Sequence, residues 1–177
     1  MKGMSRQRKV NLVGTVENHA TALSLVLQPG DVAIVKRGAY RSLIMHCPDG
    51  CGEVITINLD PRTTKAWRIY LNKKGLTLFP SVWRDTGCES HFVLWSNVFY
   101  WMDSHYLSEG DPEEESRLDE LVLPQLSPKT SSHYVEIADS LGEIPWAVLN
   151  SCRRLATAGL LVATDGDEVS FILRSDS

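Results

Sequence analysis

The chain has 177 residues, 43% of them hydrophobic and 23% charged, with a formal net charge of −4. This is a globular composition, so disorder throughout is excluded, and the acidic balance argues against general nucleic-acid affinity while leaving room for a local basic patch. The basic start, MKGMSRQRKV, leads into apolar residues broken by Glu17, Asn18 and His19, so no signal-peptide core forms. No apolar run reaches the ~18 residues of a membrane span. We therefore expect a cytoplasmic protein whose cysteines, Cys47, Cys51, Cys88 and Cys152, are thiols or metal ligands rather than disulfides.

In chain order, ATALSLVL at 20–27 suits a strand or a short helix, because its periodicity matches both. From Val32 to Trp101 follow short β-rich runs: VAIVKRG, YRSLIMHC, EVITINL, AWRIYLN, LTLFP, HFVLWS and VFYW. Their spacing predicts a small antiparallel sheet or barrel, with turns at QPGD (28–31) and NKKG (72–75). The acidic stretch opening at 108, with Glu109, Asp111, Glu113, Glu114 and Glu115, has linker composition, with one helical turn at LDELVL. It reads as a solvated spacer or an acidic contact strip. Beyond it, SHYVEIADSLGE carries apolar residues at helical spacing, with Ser131 or Ser132 as N-cap. IPWAVLNSCRRLATAGLL repeats the pattern from Pro145 to Gly159, and a hairpin follows, closed on Asp165 and Gly166. Helix, tight turn, helix, hairpin is the order of a winged helix. The expected architecture is α+β: a zinc-stabilised antiparallel β domain over 1–107, an acidic linker over 108–130 and a winged-helix domain over 131–177.

Cys47 and Cys51 flank a Pro-Asp-Gly turn, and Cys88 and His91 flank a second turn between apparent strands. Two such pairs suit a tetrahedral zinc, which takes four sulfur or nitrogen ligands and contributes directly to the folding of a thin core. His46 competes with Cys47 as a ligand. The alternatives are a redox couple, disfavoured because a thioredoxin motif spaces its cysteines by two residues and opens a helix; a catalytic zinc served by Glu53 or Asp85 as base; and ordinary buried thiols. Cys152 lies on an apolar helix stripe and reads as core. Ser81 follows Pro80 at the exit of a strand and reads as a turn serine or as a nucleophile. Its base would have to be His19, His46 or His105 if His91 holds metal. Trp67, Trp83, Trp95 and Trp101 gather around the second ligand pair, for packing or for gripping a partner.

CPDGCGEVITINLD, AWRIY, GLTLFPSVW and GCESHFVLW together resemble a bacterial zinc-binding family of unknown function, marked by CPxGCG, TLxPS and CxxH motifs in that order. The resemblance covers residues 30 to 101. Its members are encoded beside bacterial ubiquitin-like modifiers and E1- and E2-like enzymes. This implies a zinc-containing processing or deconjugating peptidase acting on a ubiquitin-like protein, partnered by that protein or its conjugating enzymes. The resemblance sets Cys47, Cys51, Cys88 and His91 on the metal motif and Ser81 on the proline-serine motif.

Two other functions fit the residues. One is a non-catalytic adaptor built from a zinc ribbon and a winged helix. The other is a DNA-binding regulator using Arg153, Arg154, Arg174 and the basic start, Lys2, Arg6, Arg8 and Lys9. Charge weighs against the second: from residue 129 onward, Glu136, Asp139, Glu143, Asp165, Asp167, Glu168 and Asp176 outnumber Lys129, Arg153, Arg154 and Arg174. Phosphate neutralisation supplies most non-specific affinity, so such a domain should bind DNA weakly.

Overall fold

The structure is a computed structural model that describes residues 6–102, 111–164 and 169–175. The chain divides into two compact units, Met1–His105 and Tyr106–Ser177.

Unit 1 is built on a four-stranded sheet, β1 (Asn11–Val16), β2 (Asp31–Arg37), β3 (Ala39–His46) and β4 (Val54–Asn58), in that order. β1 and β2 are joined through helix α1 (His19–Leu25) and run parallel, so the sheet is mixed where an antiparallel one was expected. The ambiguous segment is thus a helix at its start. Asn18 caps it, accepting a hydrogen bond from the Thr21 N–H at 2.9 Å. Ala22 and Val26 then pack on Ala33, Val35 and Ile44, covering one face of the sheet.

The other face, made by Val32, Ile34, Leu43, Met45 and Ile57, meets a second β layer. That layer comprises a hairpin, β5 (Arg68–Asn72) with β6 (Gly75–Phe79), and a three-stranded sheet, β7 (Val82–Trp83), β8 (His91–Trp95) and β9 (Val98–Trp101). Burial on both faces explains why β2 begins DVAIV, a continuous buried run with no polar alternation. Phe92 sits at the centre, edge-on to Phe99 and Trp101 with ring centroids 5.4 and 5.5 Å away. The tryptophans do not form one exposed cluster. Trp101 is buried and Trp67 packs against the core, whereas Trp83 is 70% exposed.

Unit 2 carries helices α2 (Pro112–Val122), α3 (Tyr134–Leu141) and α4 (Pro145–Thr157), with a three-stranded antiparallel sheet. Its strands β10 (Ser132–His133), β11 (Leu161–Thr164) and β12 (Ser170–Leu173) lie in the order β10-β12-β11. The acidic segment expected as a spacer therefore contains an eleven-residue helix. Asp111 caps it, Pro112 opens it, and Glu113, Glu114 and Glu115 occupy its first turn, where carboxylates favour the helix dipole. Leu118 and Val122 are buried. Asp119 accepts from the Ser151 hydroxyl at 2.5 Å and from Arg154 Nη2 at 2.6 Å, tying α2 to α4. The cap of α3 is His133, in a reciprocal box with Glu136, rather than either preceding serine. Cys152 is fully buried, and burial pushes its thiol up to about 12, as a core position requires. Asp165, Gly166 and the segment 103–110 lie outside the described residues.

Candidate active site and thiol cluster

Two groups of side chains share one hairpin. β7 and β8 pair antiparallel with Val82 opposite Phe92 and Trp83 opposite His91, and the Arg84 N–H continues the ladder to the Ser90 carbonyl at 3.0 Å. Successive side chains alternate across such a ladder. Val82, Arg84, Ser90 and Phe92 therefore take one side, and Ser81, Trp83 and His91 the other.

On the first side Cys47, Cys51 and Cys88 bring their sulfurs within 4.8 Å of one another. Cys47 and Cys51 come from a knuckle after β3, closed by Cys47 N–H to Glu53 C=O and Gly50 N–H to Cys47 C=O bonds of 2.8 and 3.1 Å. Gly50 and Gly52, with φ of 86° and 87°, let the chain double back there at no Cβ penalty. Gln7 N–H on the Pro48 carbonyl at 2.8 Å and Arg6 on Asp49 at 3.3 Å fasten the outside of the turn. Strand alternation also decides between two adjacent residues. Cys47 follows Met45 on the core side, whereas His46 shares a face with Ile44 and stays out of the thiol group.

The donor set fits a thiophilic cation. Zn–S bonds of about 2.3 Å in a tetrahedron require sulfurs about 3.8 Å apart, and Cys47 and Cys88 Sγ are separated by 3.7 Å. Burial pushes the Cys47 thiol up to about 11. It acts against the Cys88 thiolate too, but hydrogen bonds with Ser90 outweigh it and hold Cys88 down to about 7. A bound divalent ion would convert all three to thiolates outright. Arg84 supplies compensating charge: its Nη1 stands 3.7 Å from Cys51 and 3.6 Å from Cys88, while its Nη2 donates to the Glu53 carboxylate. Burial opposes the guanidinium charge, yet that carboxylate holds Arg84 above its usual range. Glu53 is thus engaged by Arg84, which disfavours it as a base for a metal-bound water.

His91, expected as the fourth ligand, is not in this group. It lies on the opposite side of β8 from Ser90, and its Nε2 is 3.0 Å from the Ser81 Oγ. Trp83 stacks on its ring at 5.9 Å between centroids and an interplanar angle of 29°. Ser81 leaves β6 after a cis Phe79–Pro80 bond, and its carbonyl accepts from the Trp67 indole N–H at 3.2 Å. Trp67 is itself held by its N–H on the Asn58 carbonyl, at the end of a loop organised by buried Asp60. Arg41 reaches that carboxylate at 2.5 Å and Arg62 at 2.8 Å. Of the other bases considered, His19 Nε2 faces Thr56 at 3.3 Å, and His105 lies outside the described residues.

A hydroxyl facing an imidazole nitrogen at hydrogen-bond distance, both on an ordered β frame, is the arrangement that serine hydrolases use. The comparison with known families points the same way. A family described as bacterial ubiquitination-like system serine protease (BubE) matches residues 18–102, a span that contains Ser81, His91 and all three clustered thiols. No curated protein and no solved structure matches the chain. No helix among the described residues is long and apolar enough to cross a membrane.

Proposed function

We propose that this chain is a serine peptidase that processes or removes a bacterial ubiquitin-like protein, with Ser81 as nucleophile and His91 as its base. The observation that carries this reading is the 3.0 Å approach of His91 Nε2 to Ser81 Oγ. As Ser81 Oγ attacks the scissile carbonyl, His91 Nε2 takes its proton and then delivers it to the leaving amine. The C–N bond breaks and an ester to Ser81 remains. A water, deprotonated by His91, attacks that ester, and the proton returns to Ser81 Oγ as the product carboxylate leaves. Cys47, Cys51 and Cys88 would hold a zinc ion, whose contribution is to fold the hairpin that carries both catalytic groups.

Unit 2 is best read as a winged helix. Its helix, strand, helix, helix, hairpin order and its β10-β12-β11 sheet support this. Protein contact is its proposed role. Arg154, the central cation of a DNA-binding reading, is occupied by Asp119 and Glu115 at 2.6 and 3.3 Å.

The test is incubation of the full-length protein with a ubiquitin-like precursor and with a conjugate, alongside Ser81→Ala and His91→Ala. Cleavage by the wild type, lost in both variants, is the expected result. No cleavage by the wild type, or undiminished cleavage by Ser81→Ala, contradicts the proposal.

A further inference from the structure

The backbone beside Ser81 carries information that the side chains do not. In an antiparallel pair, hydrogen-bonded and non-hydrogen-bonded residue pairs alternate. The Arg84 N–H to Ser90 carbonyl bond makes that pair a bonded one, so Trp83 and His91 form the next, non-bonded pair. The His91 carbonyl accordingly turns to the β9 side, accepting from the Met102 N–H at 3.1 Å. The N–H and C=O of Trp83 therefore point away from β8, out of the edge of a sheet ordered β7-β8-β9. Among the described residues no strand pairs with β7 on that side. The preceding outward carbonyl, that of Ser81, is taken by the Trp67 indole. The edge thus opens at one residue, two positions from the nucleophile, and the side chain there is 70% exposed on the catalytic face.

We propose that the substrate's C-terminal segment binds in an extended conformation as an added strand on the β7 edge. The residue two before the scissile carbonyl pairs its N–H and C=O with the main chain of Trp83, whose indole covers the same stretch. Adding a strand supplies main-chain hydrogen bonds that do not depend on the segment's side chains. The two-residue step from Ser81 to Trp83 spans about 6.8 Å of strand, the distance over which an extended substrate also repeats its bonding direction. Trp83 is then a positioning residue: it holds the segment in register so that the scissile carbonyl meets Ser81 Oγ.

This inference rests on the Ser81 reading, and the experiment separates the two. The full-length protein would be screened with fluorogenic octapeptide amides, and the best-cleaved peptide remade with one backbone amide N-methylated at a time. N-methylation two residues before the scissile carbonyl should lower kcat/KM about tenfold or more, chiefly through KM, because it removes one hydrogen bond and strands its acceptor. N-methylation of the next residue toward the scissile bond, whose N–H points away from the edge, should change it less than about threefold. A flat scan, or one with adjacent positions equally sensitive, overturns the added strand while leaving Ser81 as nucleophile. Peptide cleavage that persists in Ser81→Ala overturns both.

Discussion

The two faces of the β7 and β8 hairpin differ in what holds them in place. The thiol side is tied together by side-chain contacts: Cys47 is fully buried while Cys51 is exposed, Cys88 contacts Ser90, and Arg84 bridges two sulfurs to Glu53. On the Ser81 side His91 is held between a hydroxyl and an exposed indole. Both faces depend on the same backbone register. On the proposed reading, a metal held by the three thiols would support Ser81 and His91 through the shared hairpin without contacting them.

That division can be broken from either side. Ser81→Ala should remove at least about 10³-fold of kcat, the scale on which triad nucleophiles are lost, while leaving metal content and thermal unfolding unchanged. Peptide hydrolysis and metal analysis of the same sample check both halves. Cys88→Ser acts on the other face. It should abolish stoichiometric metal binding and destabilise unit 1 by about 3 kcal/mol or more, so activity falls because the frame is lost. Differential scanning calorimetry with metal quantification would show it; a full-strength unfolding transition with metal absent would deny the cluster its structural role. Arg84→Ala tests the charge compensation within the thiol face. Metal affinity should drop about 10- to 100-fold, as for other partners that contact metal ligands, measured by competition with a chromophoric chelator. Smallest in stability is Trp83→Ala, which should shift unfolding by less than about 0.5 kcal/mol because the side chain is largely exposed. Its kcat/KM should nevertheless fall, and partial recovery in Trp83→Phe would separate an aromatic contact from a merely structural one.

The faces were not equally legible in the sequence. Cysteines at a fixed spacing beside turn glycines announce a metal knuckle, and three of the four expected ligands do converge. His91 does not join the three sulfurs, because closeness to Cys88 along the chain does not set the direction of its side chain. One residue of strand alternation separates Ser90, which meets the sulfurs, from His91, which meets Ser81. The approach of Ser81 to His91 depends on the Val82 to Phe92 register, which spacing alone does not reveal. The same limit hid β1: its parallel pairing with β2 is a long-range fact, although NLVGTV carries ordinary strand residues. In unit 2 the charge run concealed a helix start that Asp111 and Pro112 do encode. The helix order around it was legible, since Pro145 and Gly142 mark a start and a stop that the structure uses.

The central claim is that Ser81 is a nucleophile activated by His91. Treating the full-length protein with a fluorophosphonate and locating the adduct by peptide mass spectrometry tests it most directly, since the reagent phosphonylates activated serines without requiring the native substrate. The account predicts one adduct, on Ser81, lost in His91→Ala and kept in Trp83→Ala. Wild-type protein that stays unmodified, or carries its adduct on another residue, would contradict it.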